Sequence, residues 1–162
     1  MRPLLLSCVL LALFPGCSGD STPAGPDGPV AFTDVYQSSF SGIRTRRGEI
    51  ISRESRWVEV WDELQSHASP KPAIPAVNFN DRLLILAALG TNGDRCTKAQ
   101  VQSVRTESGA LVIRIAEVHR PSTCAPCPPD TSQAVHVVSV PRAATGATFT
   151  FVTATADSCA VP

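Results

Sequence analysis

Leu83-Leu84-Ile85-Leu86-Ala87-Ala88-Leu89 is apolar at every position. A strand sends successive side chains to opposite faces, so an unbroken apolar run needs cover on both sides. Leu and Ala also favour helix, but the run is short for a helix and Gly90 ends it. It reads as a central strand, and a chain that contains one must build layers around it.

The surrounding pattern is that of one α+β domain. Ala31 to Gly42, with Phe32, Val35, Tyr36 and Phe40, reads as an irregular first strand, and Glu49-Ile50-Ile51 as a short one. Ser52 is placed as an N-cap, with Glu54 in the first turn. Trp57, Val60, Trp61 and Leu64 then recur at helical spacing, giving one apolar stripe on a helix over Arg53 to Ser66. A Trp pair at that spacing is read as core rather than as a ligand platform. Ala99–Val104 and Ala110–Val118 are strands joined by a hairpin turn at Glu107-Ser108-Gly109. Ala134–Val140 is apolar on most of both faces, and Thr148–Thr155 closes the chain. The expected fold is a mostly antiparallel β-sheet with one main amphipathic helix packed on it.

The first residues read as an address. Met1-Arg2 supplies a positive charge, and Leu4 to Phe14 is an apolar run broken only by Ser7 and Cys8. That is the length of a signal-peptide core and too short to span about 30 Å of hydrocarbon as a helix. Leu13-Phe14-Pro15-Gly16-Cys17 follows. A small residue before a cysteine resembles the lipobox of bacterial lipoprotein signals, which implies cleavage after residue 16 and lipidation of Cys17. Phe14 and Pro15 depart from the usual lipobox, and ordinary secretory cleavage is the alternative. Residues 17–30 then form a lipidated cysteine and a Ser-Gly-Asp-Pro tether that cannot bury a core, and residues 31–162 form the domain. Export places the protein in the bacterial cell envelope, anchored to a membrane by lipid.

Export constrains the cysteines. Beyond Cys17 the chain holds Cys96, Cys124, Cys127 and Cys159. An even number in an oxidising compartment suggests two disulfides, with three pairings open. Cys96–Cys124 with Cys127–Cys159 is preferred, since both then close loops of about 30 residues worth ~3–4 kcal/mol each. Cys124-Ala125-Pro126-Cys127 also admits a thiol oxidoreductase reading. Pro121 and Pro128-Pro129 make its setting a rigid loop rather than the helix start that such a motif uses. Zinc is a third reading, but Cys96 and Cys159 lack C-x-x-C partners of their own.

The chain carries 14 Lys+Arg and 14 Asp+Glu. Loss of Arg2 leaves the mature chain at −1, 13 against 14, which offers no basic field for nucleic acid. His67, His119 and His136 are scattered, and no G-x-S-x-G, H-E-x-x-H or P-loop pattern is present. A triad can still assemble from distant positions, so an envelope hydrolase or inhibitor remains open.

Several segments carry a family resemblance. They are Ile50-Ile51-Ser52, the helix with Trp57 and Trp61, Pro75-Ala76-Val77-Asn78-Phe79 before the apolar strand ending at Gly90, Gly109-Ala110-Leu111-Val112-Ile113 followed by Glu117 and Pro121, and Val135-His136-Val137-Val138-Ser139-Val140-Pro141-Arg142. Over roughly Phe40 to Phe151 the chain resembles the PrcB C-terminal domain family, named for a lipoprotein that binds and stabilises a surface protease complex. The chain departs from that family at Asn78, at Gly93-Asp94-Arg95-Cys96 and at Thr131-Ser132-Gln133-Ala134. The resemblance implies no catalytic residues. Tether, cysteines and resemblance together lead to a non-enzymatic protein-binding lipoprotein without cofactor or metal. Its expected partner is an envelope protein, such as a protease. Loops carry partner choice, so the expected binding residues are Asp94, Arg95, Arg120 and Asp130.

Overall fold

The computed structural model describes residues 27–142 and 146–160. The expected signal peptide, the lipidated Cys17 and most of the expected tether lie outside the described residues. In chain order the elements are β1 (Gly28–Pro29), β2 (Thr33–Ser38), β3 (Arg47–Ile51), α1 (Glu54–Leu64), β4 (Arg82–Ala88), β5 (Lys98–Glu107), β6 (Ala110–His119), β7 (Val135–Pro141) and β8 (Ala147–Thr155).

The chain is α+β, with one helix among the described residues, but the strands form two sheets rather than one. One has the order β1-β5-β6-β8 and the other β2-β7-β4-β3. All neighbours are antiparallel except β6 and β8, which run parallel. The apolar run at 83–89 explains the second sheet. β4 lies between β7 and β3, and its two faces go to different layers. Leu83, Ile85 and Ala87 join Val101, Val104, Leu111, Ile113 and Ile115 in a core between the sheets. Leu84, Leu86 and Ala88 join Trp57, Val60, Trp61 and Leu64 beneath the helix. A single helix covers one face of one sheet, so the opposite face required another sheet. Burial of each Leu or Ile here contributes about 1.5–3 kcal/mol.

α1 is shorter than the sequence suggests. It starts at Glu54, after Arg53, whose backbone is extended and whose side chain makes no cap bond. Ser52 is therefore not the N-cap. What holds the helix is tertiary packing. Trp57, Val60, Trp61 and Leu64 are buried. The Trp57 indole donates to the Pro75 carbonyl at 3.0 Å and the Trp61 indole to the Pro72 carbonyl at 3.1 Å. The two tryptophans are core, and they also fasten the proline loop that precedes β4.

The hairpin between β5 and β6 turns at Ser108 and Gly109, whose φ angles are 50° and 80°. Two consecutive positive φ values give the turn that matches strand twist. Gly28 and Pro29, expected within the tether, pair with Thr106 and Arg105 of β5. β1 stops there, and the β5 edge from Lys98 to Val101 has no strand beside it. Side chains of the other sheet take the place of one. Gln37 Nε2 donates to the Ala99 carbonyl at 2.8 Å, and the Val101 N–H donates to His136 Nδ1 at 3.0 Å. Both backbone groups sit in the interior or beside it, where an unpaired group would cost about 1–3 kcal/mol.

His136 is 3% exposed. Because Nδ1 accepts from Val101, Nε2 carries the proton and donates to Asp34 Oδ1 at 3.0 Å. Burial pushes its pKa below the ordinary histidine range, Asp34 pulls it back in part, and Lys98 adds a small downward push. The unfolded chain therefore takes up this proton before the native state does. Stability from this group is fully present above about pH 6.5 and is lost as pH falls from there toward the lowered native value. Urea unfolding of the wild type between pH 7.5 and 5.5 should show a declining free energy, with a slope of up to ~1.4 kcal/mol per pH unit. His136→Gln keeps an acceptor but cannot titrate, and its slope over that window should be smaller.

Candidate functional site

The strand directions bring three connections and the C-terminal segment to one end of the sandwich. β2 ends beside the start of β7, and β3 starts beside the end of β4. β5 starts where β6 ends, and β8 ends there too. Residues 39–46, 89–97, 120–134 and 156–160 therefore meet at one pole. The Asp27 carboxylate, by contrast, accepts from the Ser108 N–H at 2.8 Å, which puts the incoming chain at the other pole. Ten residues of β5 separate the two, a rise of about 33 Å.

Both disulfides lie at this loop pole, and their pairing differs from the preferred one. Cys96 bonds Cys127 and Cys124 bonds Cys159, at Cα separations of 5.8 and 5.5 Å. The sequence separations are 31 and 35, against 28 and 32 for the pairing expected from sequence. Loop-closure entropy separates these two sets by only about 0.2 kcal/mol. The packing of the loops decides the matter. Asp94 Oδ1 accepts from the Cys96 N–H at 2.8 Å and from Thr97 Oγ1 at 3.0 Å, which turns Cys96 inward. Cys96 is 6% exposed there.

The loops are bound to one another as well as to the strands. Asn92 and Ser132 exchange both backbone hydrogen bonds, at 2.8 and 3.0 Å. The buried Ser132 hydroxyl donates to the Asp94 carbonyl at 2.6 Å. Ser41 Oγ donates to the Gln133 carbonyl at 2.9 Å. Gly90 has φ 75°, and a Cβ there would stand 2.7 Å from the Arg46 nitrogen. A larger residue would force the 44–46 and 89–97 segments apart.

The four expected binding residues all lie at this pole, but in two different roles. Asp94 points inward and holds its own loop. Arg120 is half-buried. Its guanidinium donates to the Cys159 carbonyl at 2.8 Å and reaches Cys96 Sγ at 3.6 Å, so it ties the C-terminal segment to the first disulfide. Arg95 and Asp130 are presented outward. They form an ion pair at 2.8 Å with side chains about half exposed. The Arg95 guanidinium also lies over the Phe40 ring, 4.9 Å from its centre. Phe40 is 41% exposed. Sequence reasoning placed Phe40 in a strand and missed it as a surface residue. Only the folded register of 39–46 against 89–97 brings it to Arg95.

Cavities open at this pole, and two of them involve the cysteine loops or the C-terminal segment. One of about 390 Å³ lies between the outer face of β5 and the C-terminal segment, lined by Lys98, Gln100, Val118, His119, Arg120 and Asp157 among others. The other, of about 300 Å³, is lined by Asp94, Cys96, His119, Cys124 and Cys127 among others. Thr97 Oγ1 gives its proton to Asp94, so at 3.3 Å it accepts from His119 Nδ1–H. Asp94, Cys96 and Cys127 offer ligand atoms within 4.8 Å of one another. The two sulfurs are bonded to each other, which removes both as thiolate ligands in this state.

Among the described residues no helix is long and apolar enough to cross a membrane. No family model, curated protein or solved structure matches the chain.

The pairing is directly testable. Fragmentation of the unreduced protein between Cys124 and Cys127 should leave the Cys159 peptide on the Cys124 side and the Cys96 peptide on the Cys127 side. Replacing Cys96 and Cys127 together by Ser should lower the unfolding free energy by about 3–4 kcal/mol, read by urea denaturation.

Proposed function

We propose that this chain is an exported, lipid-anchored, non-enzymatic module that binds a protein partner in the bacterial envelope through its loop pole. The observation that carries the reading is the construction of that pole. Two disulfides cross-link the 89–97 loop, the 120–134 loop and the C-terminal segment, and the pole presents an aromatic ring, an arginine and a carboxylate together. Aromatic and arginine side chains dominate binding energy at protein interfaces, and rigid loops lose little freedom on association. The arrangement suits partner recognition.

The geometry also suits an anchor at Cys17. The described chain starts at Asp27, beside the 108–109 turn. A lipid on Cys17 would hold that pole toward the membrane and turn the loop pole away from it. The resemblance to the PrcB C-terminal domain family makes a protease complex the proposed partner, with this chain as a stabilising subunit. The oxidoreductase alternative has less support, because Cys124 and Cys127 are each bonded to a different cysteine instead of to each other.

Affinity capture of the full-length protein from membranes tests the proposal. A reproducible partner should co-purify with the wild type. The double variant Phe40→Ala, Arg95→Ala should weaken its capture by about tenfold or more while the circular dichroism spectrum is unchanged. Cys17→Ala should move the protein out of the membrane fraction. Fast-reacting thiols on trapping, with no partner recovered, would overturn the binding reading in favour of redox chemistry.

A further inference from the structure

The two sheets have four edges, and three of them carry features that prevent pairing with another chain. β1 is two residues long and includes Pro29. β2 has a register shift between Asp34 and Tyr36 and carries the Asp34 carboxylate. β3 is five residues long, with Arg47, Gly48 and Glu49 among them. Short length, proline, irregular register and charge are the usual protections of an open edge.

β8 has none of them. Its nine residues, Ala147-Thr148-Phe149-Thr150-Phe151-Val152-Thr153-Ala154-Thr155, include no charge, no proline and no glycine. Its pairing with β6 runs from Leu111↔Ala147 to His119↔Thr155 without a break. It stands at the end of its sheet, and among the described residues nothing pairs with its outer edge. Thr148, Thr150, Thr153 and Thr155 are exposed. A long, regular, uncharged strand rich in β-branched and aromatic residues is a template for a further strand.

We propose that this edge pairs with β8 of a second copy of the chain, antiparallel, about a two-fold axis near Thr150. The sequence of the strand complements itself in that register. Directly opposite residues of an antiparallel pair share a face. The axis places Thr150 opposite its own copy and Phe149 opposite Phe151 of the second copy, twice. Cross-strand aromatic pairs of this kind are favourable, and no like charges meet along the strand. The Phe149 ring packs on Gly48 of β3, within 2.3 Å of where a Cβ would stand, and the neighbouring Arg47 and Glu49 are engaged within the chain, with Glu63 and Arg56 of the helix. In this register Ala147 to Thr153 pair, and Phe40, Arg95 and Asp130 lie on other segments of the chain.

Sedimentation velocity of the exported full chain carrying Cys17→Ala, which removes any lipid-driven association, tests the pairing across the micromolar range. The expected result is a reversible dimer. Thr150→Lys, at an exposed position, puts like charges opposite each other. It should raise the dissociation constant by about tenfold or more without changing the thermal unfolding of the monomer. The register has its own readout. Opposite Cα atoms lie about 4.5–5.5 Å apart, within disulfide reach, so Thr150→Cys should yield a covalent dimer on a non-reducing gel. Thr148→Cys, which faces Val152 of the second copy, should not. A wild type that stays monomeric throughout would overturn the proposal, including one that binds an extended peptide of another protein along β8. A Thr150→Lys variant that dimerises like the wild type would overturn it too.

Discussion

The structure depends on the burial of β4 from both sides. One face of this strand packs on the other sheet and the opposite face on the helix, and all residues from Leu83 to Leu89 are buried. β7 beside it is buried on both faces too, with Val135 and Val137 under the helix and Val138 and Val140 between the sheets. The helix buries Trp57, Val60, Trp61 and Leu64 because β4 and β7 offer Leu84, Leu86, Val135 and Val137 beneath them. The second sheet is held by the alternate set, Leu83, Ile85 and Val138 among them. The remaining strands arrange themselves around this requirement.

The layers also determine what happens at the loop pole. Strands that pack face to face end together, so three connections and the C-terminal segment converge where β4 stops and β7 starts. Convergence brings cysteines far apart in sequence to bonding distance. It also brings two side chains of one sheet to the unfilled edge of the other. Gln37 and His136 complete hydrogen bonds that a strand would otherwise have made. The disulfides and these bonds act on the same region by different means. The disulfides restrict the unfolded chain, and the hydrogen bonds satisfy groups in the folded one.

Much of this was legible in the sequence. Periodicity placed the helical stripe, the β5–β6 hairpin and its turn, and the apolar β4, because each is a local pattern with a local cause. The two-sheet architecture was not read: the run called for cover on both faces, but the expected single sheet with one helix leaves one face bare, and a second sheet fills it. Helix capping misled, since Ser52 has the right chemistry but Arg53 occupies the position. Cysteine pairing was not legible because loop entropy barely distinguishes the alternatives. Of the expected binding residues, Arg95 and Asp130 are presented outward, while Asp94 and Arg120 hold the pole together. Charge and loop position are the same for both kinds, and only the fold separates them. Phe40 carried no signal of its own, as its role depends on lying beneath Arg95.

Native-state hydrogen exchange tests the dominance of β4 most directly. Amides of Leu84 to Ala88 and their partners in β7 should exchange only by global unfolding and be the slowest in the protein. Those of β8 and the loop pole should exchange through smaller openings. Protection greatest in the β5–β6 hairpin, with β4 exchanging by local opening, would contradict the account.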